Sequence, residues 1–268
     1  MAMLDEGTKT RDTLQISEEL ALLGASLSAG SSLDTSSVNL SALADKLEPS
    51  LEIFADVVLN PAFPQKELDR LRKVYLAALS QEKTQPTSMA LRVVPKLLYG
   101  AGHAYAQPLT GTGTEATLAA LTREDLVRFH AEWFRPNHAT LIAVGPLTVA
   151  SLKPQLEQLF RNWQPGDIPA KVIANVTPRP SRTLYLLDKP GADQSVIFAG
   201  QLIPSRATPD DLAISTMNDV LGGKFTARLN MNLREAKHWS YGAYSFAYDA
   251  RGQRPLLAYA PVQSDKSA

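Results

Sequence analysis

Residues 219–241, Asp-Val-Leu-Gly-Gly-Lys-Phe-Thr-Ala-Arg-Leu-Asn-Met-Asn-Leu-Arg-Glu-Ala-Lys-His-Trp-Ser-Tyr, constrain this chain more than any other stretch. Two adjacent glycines, Gly222 and Gly223, mark a turn. After them Phe225, Leu229 and Leu233 recur four residues apart, the spacing of one helix face. The pattern predicts a helix that stops near Lys237, with Arg234 on its last turn, and a strand opening at Tyr241. A helix that reverses into a strand in this way sets the Arg234 guanidinium and the Tyr241 phenol beside one another on neighbouring elements. Both are hydrogen-bond donors, and together they can hold a peptide carbonyl.

The rest of the composition narrows the class of molecule. At 268 residues with 44% apolar and 20% charged content, the chain is a soluble globular protein able to bury two moderate cores. Its 27 basic residues balance 27 acidic ones, so no overall field draws it to nucleic acid or to an anionic membrane. The absence of cysteine excludes disulfides, thiolate catalysis and cysteine metal sites. It leaves the compartment unknown, with the periplasm favoured over the cytoplasm. No apolar run reaches the length of a membrane helix, and residues 1–11 lack the apolar core of a signal peptide.

Read in order, the chain predicts a helix capped by Thr13, running through Ile16, Leu20 and Leu23 and stopping at Gly24. Two alternating segments, 25–31 and 36–44, read as neighbouring strands. Helical spacing then covers 51–59, 65–82 and 88–98, the last kinked or shortened by Pro95. Residues 101–115 read as loop and lead to two short helices. A strand is expected at 138–144 and a helix at 147–163. Residues 164–180 hold Pro165, Pro169, Pro178 and Pro180 and mark a domain boundary. Beyond it the pattern gives strands at 183–187 and 194–200, a helix at 209–221, the organising stretch, and strands at 241–248 and 255–260. A sheet domain calls for further helices to cover its face, so the second domain reads as incomplete. A faint internal repeat also shows, the helix ending Leu23-Gly24-Ala25-Ser26 echoing the one ending Lys237-His238-Trp239-Ser240.

The motif Leu-Gly-Gly-x-Phe-x-x-Arg-Leu, followed by Leu-Arg-Glu and a tyrosine seven residues after that arginine, resembles the second-domain signature of the insulinase-like (M16) zinc peptidases and their non-catalytic partner chains. The resemblance implies an α+β chain of two related domains, with antiparallel-rich mixed sheets covered by helices in the LuxS/MPP-like metallohydrolase fold. The first would span 1–163 without its N-terminal strands, 164–180 would be the linker, and 181–268 the start of the second. It also implies that Arg234 and Tyr241 form a substrate-binding pair facing a zinc site on another half or chain. One departure is His238, where the family usually has glycine at the helix end; histidine tolerates left-handed backbone better than most side chains.

Zinc hydrolysis needs about three nitrogen or oxygen ligands and an open water position. The histidines are His103, His130, His138 and His238, and no His-x-x-Glu-His or its inverse occurs. Laid on the family pattern, the second histidine of that motif falls on Ala2 and the glutamate ligand of the long helix on Ala78. The resemblance therefore implies a non-catalytic copy without a cofactor of its own. It would pair with a homologous catalytic subunit or domain that carries the zinc, and would help to hold the peptide substrate. Two other readings stay open: a purely structural subunit of the same fold, and an autonomous zinc peptidase with ligands upstream. The remaining features have plain structural readings. Gly222-Gly223-Lys224 lacks the phosphate-loop pattern, and Gly111-Thr-Gly-Thr reads as a loop before a helix. His103 beside Tyr105 is read as structural, and the mixed charges at Glu67, Asp69, Arg70, Arg72 and Lys73 as a solvated helix face.

Overall fold

The computed structural model describes residues 1–177 and 179–267; Pro178 and Ala268, which the linker and second-domain readings include, lie outside the described residues. In chain order the helices and strands are α1 (Thr13–Leu22), β1 (Ser26–Ser31), β2 (Ser36–Ser41), α2 (Leu47–Leu59), α3 (Gln65–Glu82), α4 (Pro86–Tyr99), α5 (Glu115–Ala120), α6 (Arg123–Trp133) and α7 (Val149–Phe160). There follow β3 (Gln194–Ile203), α8 (Asp211–Asn218), α9 (Arg228–Asn230), β4 (Tyr244–Ala247) and β5 (Arg254–Gln263). The architecture is mixed α+β with antiparallel sheets. Two compact units interleave along the sequence: Met1–Leu76 with Glu115–Lys171, and Ala77–Thr114 with Val172–Ala268. One crossing falls inside α3 and another next to Lys171, within the proline-rich stretch.

The first unit is built on a hairpin whose apolar side chains alternate. Leu27 pairs with Leu40 and Ala29 with Val38 in the antiparallel register of β1 and β2. These residues pack against a core of Leu4, Ile16, Ile53, Val57, Phe63 and Leu68. Full burial of each such side chain contributes about 1.5–3 kcal/mol. The helix before the hairpin is capped by Asp12 rather than Thr13: Asp12 accepts the Gln15 amide at 2.8 Å and Gln15 accepts the Asp12 amide at 2.8 Å. Thr13 instead donates its hydroxyl to the Glu6 carbonyl. Gly24 ends the helix in left-handed backbone at φ 61°, as its sequence position suggested.

Asp56 on α2 ties down the N-terminal loop. Its carboxylate accepts from the hydroxyls of Thr8 (2.6 Å) and Thr10 (2.7 Å), from the Arg11 guanidinium (2.9 Å) and from the Asn60 amide (3.0 Å). Burial pushes this carboxyl up, but the four donors outweigh it and hold it below the ordinary aspartate value. The long helix α3 has the bounds the pattern gave, yet its charges do more than face solvent. Arg72 donates to the carbonyls of Leu118 (3.0 Å) and Leu121 (2.7 Å), closing the C-terminal end of α5.

Several boundaries differ from the sequence expectation. α2 begins at Leu47, a turn before residue 51, because Pro49 sits in the first turn, where its missing N–H has no helical partner to lose. The strands expected at 138–144 and 183–187 do not form. Leu141, Ile142 and Val144 are exposed, as are Leu184 and Leu186, and neither segment pairs with a strand among the described residues. Alternation alone cannot make a strand without a ladder partner.

In the second unit the sheet order is β3-β5-β4, all antiparallel. One face carries Phe198, Tyr259 and Tyr244, which are in register across the three strands. On this face Thr87 of α4 donates to the Tyr259 hydroxyl at 3.4 Å, and Leu98 approaches Gly200. α4 runs unbroken through Pro95 to Tyr99, so the proline does not shorten it. The opposite face presents Ala260 and Val262, with Ala243 beside them, to Leu229 and Leu233.

His130 yields a test of the first unit. Its Nε2 donates to the Val58 carbonyl at 2.8 Å and its ring stacks on Phe134, and burial lowers its pKa from the ordinary 6.5. A depressed folded value means the neutral ring contributes its full stability above pH 6.5 and loses it as pH falls through the folded value. Thermal melts should therefore decline from pH 7.5 to 5, with a shallower decline in His130→Gln, which keeps a donor but does not titrate. Equal pH slopes in the two proteins would contradict this role.

Candidate functional site

The organising stretch folds as a helical turn, a crossing and a second helical turn laid on the sheet. α8 does not end before the glycines; it continues as a π-helical turn, Asp219–Gly223, so Gly222 and Gly223 lie inside the last helical turn rather than beyond it. The reason is space. A β-carbon on Gly222 would sit 2.5 Å from the Ser245 amide nitrogen and 2.6 Å from its hydroxyl, so only glycine lets this turn rest on β4. Asn218 locks the contact, donating to the Ser245 carbonyl at 3.2 Å and accepting from the Ser245 hydroxyl at 2.8 Å. Lys224 pairs with Asp219 at 2.6 Å, as a turn residue does.

The second helix starts at Arg228, later than the apolar spacing suggested, and continues as the π-helical turn Met231–Ala236. Leu229 and Leu233 face the sheet as expected. Phe225 does not join them: it precedes the helix and is half exposed. The Arg234 guanidinium lies over its ring, 4.7 Å from the centroid. A single ion pair accompanies this, Arg234 Nε to Glu235 Oε1 at 3.4 Å, between two partly exposed groups where such a pair contributes little. Among the described residues the guanidinium makes no hydrogen bond, and its terminal N–H groups carry no ion pair.

The helix stops at His238, whose φ of 55° is left-handed, in the place where a glycine was the expected residue. The His238 amide donates to the Arg234 carbonyl at 3.2 Å and the Trp239 amide to the Leu233 carbonyl at 2.9 Å, so both amides at the stop are bonded. Gly24 ends α1 with the same hand, and the Ala25 amide donates back to Leu20 there. Both helix ends of the faint internal repeat thus turn through left-handed backbone, but their closing bonds span different lengths, Ala25 to Leu20 against Trp239 to Leu233.

Tyr241 falls before β4 rather than within it, because the strand begins at Tyr244. It occupies a bend held by Ser240, whose hydroxyl both donates to the Gly242 carbonyl (2.9 Å) and accepts the Gly242 amide (3.1 Å). The tyrosine is 85% exposed and its phenol is free to meet a ligand. Tyr241 thus lies in the bend between the second helix and β4 rather than on a strand beside that helix, and it shares no hydrogen bond with Arg234.

The other candidates are structural. Tyr105 donates its amide to His103 Nδ1 at 3.0 Å, so Nε2 carries the proton and donates to the Ala174 carbonyl at 2.8 Å. The ring also stacks on Tyr99 at 4.7 Å. In the Gly111-Thr-Gly-Thr loop, Thr112 donates to Glu82 at 2.9 Å, while Arg92 donates to Glu82 at 2.7 Å and to the Gly113 carbonyl at 2.7 Å. Both the Thr112 hydroxyl and the Arg92 guanidinium are therefore engaged by the Glu82 carboxylate.

Family models match most of the chain. Residues 120–268 match the peptidase M16 inactive domain, and residues 2–113 match the insulinase (peptidase family M16) domain. The chain belongs to the M16 peptidase family. It is 25% identical over 248 residues to a protein of Mycobacterium leprae named an uncharacterized zinc protease, covering 91% of this chain and 54% of that one. It is 24% identical to the uncharacterized zinc protease YmxG of Bacillus subtilis, covering 91% of this chain and 58% of that one. Among solved structures, a peptidase M16 inactive domain from Pseudomonas fluorescens superposes with a TM-score of 0.91 at 29% identity, covering 99% of this chain and 64% of that one. A protease from Helicobacter pylori shares the fold, with a TM-score of 0.89 at 18% identity, covering 98% of this chain and 63% of that one. The chain thus spans a little over half the length of the two curated relatives.

The family's zinc does not fit the side chains present. Among the described residues no group of three or more His, Cys, Asp or Glu is placed to hold a metal. The position of the expected helix ligand is the methyl group of Ala78, and Ala2 offers no donor either. His103 and His130 spend ring nitrogens on backbone partners, and His138 and His238 lie exposed in turns.

The two glycine-like positions give opposite expectations. Gly222→Ala should destabilise the second unit by about 1–3 kcal/mol through overpacking. His238→Gly should stabilise it by roughly 0.5–1 kcal/mol by relieving left-handed strain. Urea unfolding monitored by tryptophan fluorescence checks both, and a stable Gly222→Ala protein would contradict the close approach.

Proposed function

We propose that this chain is a non-catalytic M16 subunit or domain that holds peptide for a zinc-bearing M16 partner. The observation that carries the reading is the Arg234 guanidinium, laid on the exposed Phe225 ring without a hydrogen-bond acceptor, followed seven residues later by the exposed Tyr241 phenol. A platform of this kind orients a planar cation while its N–H groups remain available. A guanidinium with unspent donors and a phenol on a braced bend are suited to donating to the backbone carbonyls of an extended peptide. The match to the family's inactive domain supports the same division of labour.

In this reading hydrolysis belongs to the partner. Arg234 and Tyr241 donate to a substrate carbonyl, fix the peptide's register and stabilise negative charge as it grows on oxygen. The similarity of the chain to proteins named zinc proteases supports a peptide as the substrate class.

In the complex with the zinc-bearing partner, Tyr241→Phe and Arg234→Ala should each lower peptidase turnover by about 10–100-fold, the worth of a donor to a charged acceptor. The zinc content of the complex should not change. Full turnover in both variants would overturn the proposal.

A further inference from the structure

We infer that Asn230 is a positioning residue that holds the two halves of the Arg234–Tyr241 grip in register; its purpose rests on the peptide-holding reading above, although its geometry does not. Asn230 is a polar side chain with no exposed surface, sitting in the first turn of the second helix. Its Nδ2 donates to the Phe225 carbonyl at 2.7 Å and its Oδ1 accepts the Ala243 amide at 3.2 Å. The first bond fixes the residue whose ring carries the Arg234 guanidinium. The second fixes the strand entry two residues after Tyr241, directly beyond the Ser240–Gly242 bend.

One amide therefore joins the platform of one donor to the base of the other. The bridge replaces two backbone partners that helix and sheet do not supply: the Phe225 carbonyl precedes the helix, and the buried Ala243 amide precedes β4. A leucine or alanine at this position would leave both unpaired, and such groups reorganise to find partners. The expected consequence is a looser Phe225 and a displaced Tyr241 bend, with Leu229 and Leu233 still packed on the sheet. A loss of register of about 1 Å is enough to weaken a two-point grip.

The test uses NMR on the whole chain. In the unmodified protein the Asn230 Nδ2 protons should exchange with solvent about tenfold more slowly than those of the exposed Asn232, because they are buried and bonded. The Phe225 ring should displace the Arg234 Nε–H resonance upfield, and Asn230→Ala and Asn230→Asp should lose most of that displacement. Asn230→Asp removes the donor to Phe225 and keeps the acceptor for Ala243, so it isolates the Phe225 half of the bridge. Rapid exchange at Asn230 in the unmodified chain would overturn the inference without any variant, and so would a full Arg234 displacement in either folded variant. Binding of a fluorescein-labelled alanine–lysine peptide separates the two claims. If Arg234→Ala weakens binding by about tenfold and the Asn230 variants follow it, the clamp serves the grip. If Arg234→Ala weakens binding and the Asn230 variants do not, the positioning role fails while the peptide-holding reading stands. If Arg234→Ala binds normally, the peptide-holding reading fails, and with it the assigned purpose of Asn230; the resonance data then judge the bridge alone.

Discussion

The second unit depends on one close approach, the backbone of Gly222 against the amide of Ser245. At that separation no β-carbon fits, and the whole segment from α8 to β4 is arranged around the contact. Asn218 fastens it from the helix side. The crossing that follows throws Phe225 outward, so its ring leaves the core and becomes a platform for Arg234 instead. The π-helical widening on both sides of the crossing belongs to the same geometry. Such wide turns commonly mark places where a helix gives up ideal bonding to aim a side chain.

The proposed reading separates holding from cutting. His103 and His130 spend ring nitrogens on backbone partners, and among the described residues no group of three or more His, Cys, Asp or Glu is placed to hold a metal. What remains in the organising stretch is a set of uncommitted donors on a braced frame. A frame of this kind needs rigidity rather than redox or acid chemistry, and the buried amide of Asn230 and the hydroxyl of Ser240 supply it. The left-handed histidine at the helix end fits the same view, since it turns the chain sharply back toward the sheet at some conformational cost.

Much of the framework was legible in the sequence. The bounds of α3 follow from its apolar spacing, the β1–β2 hairpin from alternation, and the Gly24 stop from a glycine after the last apolar residue. The failures have physical causes. Segments 138–144 and 183–187 alternate like strands, but pairing is a tertiary property that periodicity does not contain. Phe225 continued the four-residue spacing of Leu229 and Leu233 while lying outside their helix, because spacing alone does not show where a helix begins. Arg72 looked like one more solvated charge, since nothing in α3 itself reveals that two carbonyls of a later helix end lie beside it. The role of Asn230 is hidden from the sequence for a similar reason. A polar residue early in a helix is ordinary, and only the fold shows that its partners lie on both sides of the site. Its one available signal was an asparagine at an inward-facing position between Leu229 and Leu233.

The central claim is that this chain grips peptide through the organising stretch and needs no metal of its own to do so. The most direct measurement is an NMR titration of the chain with unlabelled alanine–lysine peptide in the presence of a zinc chelator. The account predicts saturable shifts centred on the Arg234 side chain and Tyr241, the same with and without chelator. Shifts confined to other parts of the chain, or binding that disappears when zinc is removed, would contradict it.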